Sequence, residues 1–230
     1  TTTDQVGSTW TRRYDPIVEL FVVNSLAETL TSVELDGSGR FIGSQDDAVV
    51  LGSVPNAIIP FNSGAELAIT LSGENRVLLL DEATFVITGS IDLGSGANPM
   101  VSAEIRPSLF GTTGLFTGRL HLHDRDGNAA RIGSGTSVAP LTGPADSQAP
   151  QAVLAVTGTG GGTGEVRVLV ANTAYSSARP ADYPFGAATL TVFRLAVAAD
   201  AGTAAGAPRV AIVEMVTYQL EKPSDLSAIT

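Results

Sequence analysis

The residues best equipped for chemistry lie between positions 121 and 128. His121 and His123 are the chain's two histidines, and Asp124 and Asp126 follow at once. Side chains two apart on a strand share a face, so both imidazoles would point the same way, with carboxylates at the strand end. Imidazole and carboxylate together suit zinc or manganese. A catalytic metal also brings a third recognisable ligand cluster, and none is visible here. The plainer reading is a polar strand end running into an Asp-Gly turn. The expectation is therefore no metal and no other cofactor, with His121, His123, Asp124 and Asp126 as the candidates against it. The stretch Asp124-Arg125-Asp126-Gly127-Asn128 matches part of a calcium loop. An EF-hand needs a third acid or amide before the glycine and a distant Glu. Here the glycine comes too early and the Glu is missing, which leaves only a simpler calcium site of turn carboxylates and carbonyls.

Other catalytic patterns fail on context. The glycine run from Gly158 to Gly164 is followed by no Lys-Ser or Lys-Thr and no helix signal, so it reads as a flexible hairpin tip and not a phosphate loop. The nearest approach to a nucleophile elbow, Gly135-Thr136-Ser137-Val138-Ala139, lacks the second glycine and any strand-turn-helix setting. Two histidines on one short strand make a Ser-His-Asp triad improbable. Paired carboxylates for glycoside hydrolysis remain open, since acids far apart in sequence can meet in space. Aromatic residues total 6% and Trp10 is the single tryptophan, which weighs against a sugar cleft with aromatic platforms. No catalytic constellation emerges, and the chain reads as a non-enzyme.

The elements that would position such residues are strands. The stretch from 188 to 221 organises the rest. Thr189, Thr191, Phe193, Leu195 and Val197 fall on one side of the first run, with Leu190, Val192, Arg194 and Ala196 on the other. In the second run Val210, Ile212, Glu214, Val216, Tyr218 and Leu220 share one side. Two alternating β-branched runs around a small-residue loop predict a long antiparallel pair, and Arg194 and Glu214 could face each other across it. Upstream, residues 1–16 are polar and read as an extended arm, with the first core strand at 17–23. Residues 24–35 fit either a short helix capped by Ser25 or a turn and a strand. Further strands are expected at 40–42, 48–51, 57–59, 66–71, 76–80, 83–93, 100–106, 115–123, 152–156 and 165–170, with a long loop or weak boundary at 133–150. Roughly ten to thirteen strands separated by Gly- and Pro-rich turns predict an all-β, antiparallel sandwich of jelly-roll type. No fixed period argues for a propeller or solenoid. The domain expectation is an arm over 1–16 and a single sandwich over 17–230.

Composition narrows the partners. The chain has 230 residues, a formal charge of −10 and a charged share of 16%. A negative protein without clustered Lys and Arg is a poor partner for nucleic acid. There are no cysteines, so disulfides and cysteine-ligated zinc are excluded. No apolar run approaches the ~20 residues of a membrane span, and TTTDQVGSTW does not read as a signal peptide.

The polar TTTDQVGST start, the many strands, the loops at 133–150 and 158–164 and the 188–221 hairpin resemble coat or decoration proteins of icosahedral viral particles. That resemblance implies a self-assembling jelly-roll subunit of a virion, partnered by copies of itself or other capsid subunits. It departs from many RNA-virus coats in lacking a basic N-terminal arm, which counts against direct genome packaging and leaves both a coat and a shell-decorating (cement) role open. The alternatives are a carbohydrate- or receptor-binding module of lectin or adhesin type, and a hydrolase with an unrecognised carboxylate pair.

Overall fold

Alternation between apolar and small or polar residues builds the chain into four mainly antiparallel sheets that follow one another in sequence. The computed structural model describes residues 2–6, 9–13, 18–44, 48–106, 109–114, 120–129, 131–132, 150–157, 165–172, 189–197 and 209–219. The first sheet sets β1 (Thr2–Val6), β2 (Thr9–Arg13), β3 (Val18–Asn24), β4 (Thr29–Leu35) and β5 (Phe41–Ser44) side by side, and β6 (Val49–Val50) shares the outer edge of β4 with β5. The second is a meander of β7 (Pro55–Phe61), β8 (Glu66–Leu71), β9 (Arg76–Asp81) and β10 (Ile87–Asp92). The third holds β11 (Pro99–Arg106), β12 (Leu109–Gly114) and β13 (Leu120–His123). After β14 (Arg131–Ile132), the fourth runs through β15 (Pro150–Thr157), β16 (Glu165–Asn172), β17 (Thr189–Val197) and β18 (Arg209–Gln219), and β14 lies parallel to β18. Two single-turn 3₁₀ segments, Asn62–Gly64 and Ser72–Glu74, are the helical elements among the described residues.

The all-β expectation holds. The jelly-roll refinement does not match the strand order, since a jelly roll needs Greek-key crossings between two sheets. Here each sheet is made from strands close in sequence, with β6, which pairs with β4, and β14, which pairs with β18, the two strands paired out of order among the described residues. The polar start is also different from an arm. β1 pairs with β2 and β2 with β3, with Trp10 opposite Phe21 in the ladder. Of the two readings for 24–35, the structure takes the turn and strand: Asn24 Oδ1 accepts from the backbone N–H of Leu26 and Ala27, and β4 follows.

Three apolar layers separate the four sheets. Phe21 and Leu30 of the first sheet meet Ile58, Leu67, Ile69 and Leu80 of the second. On the other face of the second sheet, Phe61, Val77, Leu79 and Ile91 meet Phe110 of the third. Ile105, Leu109 and Leu122 then meet Val166, Val168 and Phe193 of the fourth. Consecutive residues of β9 thus serve two different layers, Val77 and Leu79 one and Leu78 and Leu80 the other. That is why the central strands read as unbroken apolar runs. The leading strands are neighbours: β11 lies against both β7 and β15, and β7 against β2 and β3.

The last sheet is buried on one face only. Thr189, Thr191, Phe193, Leu195 and Val197 are buried, as their alternation predicts, while Leu190, Val192 and Arg194 on the other face are half-exposed. The side assignment in β18 needs correction. A bulge shifts the register between Arg194↔Glu214 and Leu195↔Ile212. A shift of one residue exchanges the faces, so Val210 and Ile212 share the side of Leu195, and Glu214, Val216 and Tyr218 share the side of Arg194.

Candidate functional site

The expected metal candidates do not converge. His123 ends β13 and is 2% exposed. Its Nδ1 lies 3.0 Å from the carbonyl oxygen of Asp124, and its Nε2 lies 3.0 Å from Thr112 Oγ1. A carbonyl can only accept, so Nδ1 carries the proton and Nε2 accepts from the threonine hydroxyl. Thr112 Oγ1 is in turn 2.8 Å from Ser102 Oγ. The run Ser102–Thr112–His123–Asp124 is therefore satisfied with a neutral imidazole. Burial pushes the His123 pKa from 6.5 down to about 4. Asp124 turns the other way, and its carboxylate accepts from the backbone N–H and side-chain amide of Asn128. Asp126 is exposed. Among the described residues, no group of three or more His, Asp or Glu could hold a metal ion. The glycine run 158–164 and the segment 135–139 lie outside the described residues.

A different cluster forms where one end of the second sheet meets the third. Glu66 opens β8 and is 5% exposed. Arg125, from the turn after β13, grips it with two bonds, Nε to Oε2 at 2.8 Å and Nη2 to Oε1 at 2.5 Å. Thr88 donates its hydroxyl to Oε1 at 2.9 Å, and Asn62 donates its amide to Oε2 at 3.4 Å. The Arg125 bonds, ahead of the others, hold the Glu66 carboxyl below the usual range. The neighbouring Ser63 donates its backbone N–H to Oε2 of Glu104, on β11, at 3.3 Å. Burial raises the Glu104 pKa, and its Oε1 is enclosed with no partner. One turn thus touches two carboxyls with opposite tendencies, Glu66 kept ionised and Glu104 pushed toward the protonated form. The turn is strained for its residues, with φ of 51° at Asn62 and 57° at Ser63, in the left-handed region that favours glycine.

The sequence reading held open a carboxylate pair but could not name it, because Glu66, Glu104 and Arg125 stand far apart along the chain. A signal was present, namely a glutamate at the head of the apolar run ELAITL and another inside MVSAEIR. Charged residues in otherwise apolar strands are rare unless paired. The Arg194–Glu214 pairing is found, with Arg194 Nε 3.6 Å from Glu214 Oε2.

No family model matches the chain, and no curated protein matches it. Solved structures of similar fold do. A putative 6-phosphogluconolactonase from Bacteroides fragilis superposes with a TM-score of 0.57 at 10% identity, over 90% of this chain and 56% of that one. A second protein so described, from Bacteroides uniformis, gives a TM-score of 0.52 at 11% identity, over 86% of this chain and 56% of that one. The chain thus spans little more than half the length of either. Such low identity makes the likeness one of fold. Neither structure is described as a virion protein, and both carry an enzyme's name, which overturns the expectation of a non-enzyme.

Proposed function

We propose that the chain is an arc of four β-propeller-type blades that supports hydrolysis of an ester or lactone at the rim holding Glu66, Glu104 and Arg125. In a propeller, four-stranded meanders stand around a central axis. The four sheets in chain order, with β7, β11 and β15 side by side, support that arrangement. The observation that carries the chemical reading is the pair of carboxyls whose pKa values are pushed apart on one rim. Such a split assigns roles, the raised acid as proton donor and the ionised one as electrostatic support. Glu104 would give its proton to the departing oxygen as the carbonyl–oxygen bond breaks. Water would supply the oxygen of the new bond, and its proton would return to Glu104. Arg125, 45% exposed and held by Glu66, would face the carbonyl oxygen as negative charge develops there. Access requires the exposed 62–64 turn to swing off Glu104.

The substrate is expected to be neutral. A formal charge of −10 repels anions, and two nitrogens of Arg125 are committed to Glu66. The test is turnover of neutral sugar lactones and of a phosphorylated lactone by the purified chain and by Glu104→Gln. Hydrolysis of the neutral compounds that disappears in Glu104→Gln, and that declines in wild type as pH rises through the raised acid, is the expected result. Activity unaffected by Glu104→Gln would refute the role given to it, and no turnover of any lactone would refute the reading. The second reading is a self-assembling subunit, whether in a shell or a smaller oligomer. The open apolar face of the fourth sheet favours it.

A further inference from the structure

The outer face of the fourth sheet has no sheet packed on it among the described residues, and its side chains stand in ordered cross-strand rows. One row is charged. Arg167 lies opposite Arg194 and Arg194 opposite Glu214, so two positive charges and one negative cross β16, β17 and β18. The next row, Leu169, Val192 and Val216, is apolar and half-buried. Tyr218, in the row after it, is exposed. These side chains line a shallow recess of about 490 Å³, within the roughly 300–1,000 Å³ of small-molecule sites. The charged row is incomplete in itself. Like charges directly opposite on a sheet are unfavourable. Glu214 Oε2 stands 3.6 Å from Arg194 Nε, beyond hydrogen-bond reach, and that Nε is enclosed with no acceptor. Arg167 is exposed and has no ion-pair partner among the described residues. Glu165 shares its face but falls in the row beyond, opposite Ala196, on the side away from the recess. Two arginines against one glutamate leave the recess one positive charge in excess and one unsatisfied donor, beside an apolar floor.

We propose that this recess binds a small monocarboxylate with an apolar body. Side chains directly opposite on neighbouring strands have Cβ atoms about 4.5–5.5 Å apart, so the two guanidiniums can each take one oxygen of a single carboxylate. Charge-assisted bonds of that kind are the strong ones. With the anion between Arg167 and Arg194, the row alternates positive, negative, positive, negative, and the like-charge contact is relieved. The apolar body lies over Leu169, Val192 and Val216 and extends toward Tyr218. From Glu214 to Tyr218 the strand advances about 13 Å, the reach of an extended chain of roughly eight to ten carbons. A monoanion fits better than a phosphate dianion, because the excess is a single charge and the whole chain carries −10, which repels multiply charged anions. The proposal is independent of the hydrolase reading, whose carboxyls lie on β8 and β11.

The experiment is isothermal titration of the purified chain with octanoate, with octanamide, octylammonium and acetate as comparators and circular dichroism as a check on folding. Octanoate should bind one to one with a Kd of roughly 0.1–1 mM, as a shallow site for so small a ligand allows. Octanamide and octylammonium should bind at least about tenfold more weakly for want of the negative charge, and acetate likewise, about tenfold or more, for want of the apolar body. Arg167→Gln, at an exposed position, should weaken octanoate about tenfold with the fold intact. Absence of octanoate binding overturns the proposal and leaves the face to a macromolecule. Octanamide bound as tightly as octanoate overturns the role of the charge, and an affinity unchanged in Arg167→Gln puts the bound octanoate elsewhere and overturns the site.

Discussion

Acid should destabilise this protein in large part through His123. The folded state holds the imidazole neutral, with a pKa lowered from 6.5 to about 4 by burial. The unfolded chain takes up the proton at the ordinary value. The folded value is the depressed one, so the contribution is fully present above about pH 6.5 and is lost as pH falls toward about 4. At about 1.4 kcal/mol per unit, the loss comes to roughly 3 kcal/mol. That is a large part of a typical total of about 5–15 kcal/mol. Two glutamates act in nearby windows with different signs. Glu104 has a raised pKa, so its contribution is present below the ordinary value near 4.5 and is lost as pH rises through the folded value. Glu66 has a lowered pKa, so its contribution is present above that ordinary value and is lost as pH falls through the folded one.

Comparison with His123→Leu isolates the histidine. At neutral pH that variant leaves the Asp124 carbonyl unpaired and deprives Thr112 of one partner, at a cost of about 1–3 kcal/mol. As pH falls, wild type loses its roughly 3 kcal/mol and the variant does not. The two stability curves should therefore converge and cross near the acid end. Urea unfolding followed by circular dichroism, from about pH 7.5 to about pH 4, spans the window in which the proton is taken up. Parallel curves would show that the imidazole titrates alike in both states and would refute the buried neutral tautomer.

Two further substitutions test the local geometry. A Cβ at Gly73 would lie 2.5 Å from Ser53 Oγ and 2.9 Å from the Ser53 carbonyl oxygen, and backbone cannot easily retreat. Gly73→Ala should therefore cost about 1–3 kcal/mol in urea unfolding, and a neutral result would mean that the 53–54 loop is free to shift. Val54 holds a φ of 53°, unfavourable for a β-branched residue by about 1–2 kcal/mol. Val54→Gly removes that strain against a flexibility penalty of about 0.5–1 kcal/mol. The melting temperature should hold or rise by about 2–4 °C, and a clear fall would contradict the strain.

The strands most legible in sequence were those with a single dominant environment. β8 was expected at 66–71 and spans Glu66–Leu71, because every residue of ELAITL is buried and turns bracket it. The inward face of β17 followed from plain alternation. β12 was missed for a physical reason. Leu-Phe-Gly-Thr-Thr-Gly reads as a turn, yet all six residues are buried strand. At Gly111 the space a Cβ would need is taken by Ile105 Cδ1 at 3.0 Å and Leu120 Cδ1 at 3.2 Å. Small residues there answer the squeeze between neighbouring side chains, a tertiary demand that no local propensity records. The bulge in β18 is a similar case. One irregular step turned Glu214, Val216 and Tyr218 to the opposite face from Val210 and Ile212, and alternation counted along the strand could not see it.

The same reasoning explains why the sheet-after-sheet order escaped notice and why the Glu66–Arg125 cluster went with it. The second sheet is complete between Pro55 and Asp92, while the fourth needs the span from Pro150 to Gln219. The strands of the fourth sheet are longer, 8 to 11 residues against 6 or 7, but most of the difference lies in the connections. A search for a fixed period samples the connections as much as the strands, and sheets of unequal span show it none. What recurs is an order, each strand beside the next and each sheet against the sheet that follows it. That order decides which distant residues become neighbours. It brings Arg125, in the turn that closes β13, onto Glu66 at the head of β8. It also sets Ser63 of the 62–64 turn against Glu104 of β11. Once sheet-after-sheet stacking is granted, an acid at a strand end on one sheet and a cation in the matching turn of the next become natural partners. The acid–cation rim is therefore a consequence of the stacking, and it becomes readable only after the stacking is known.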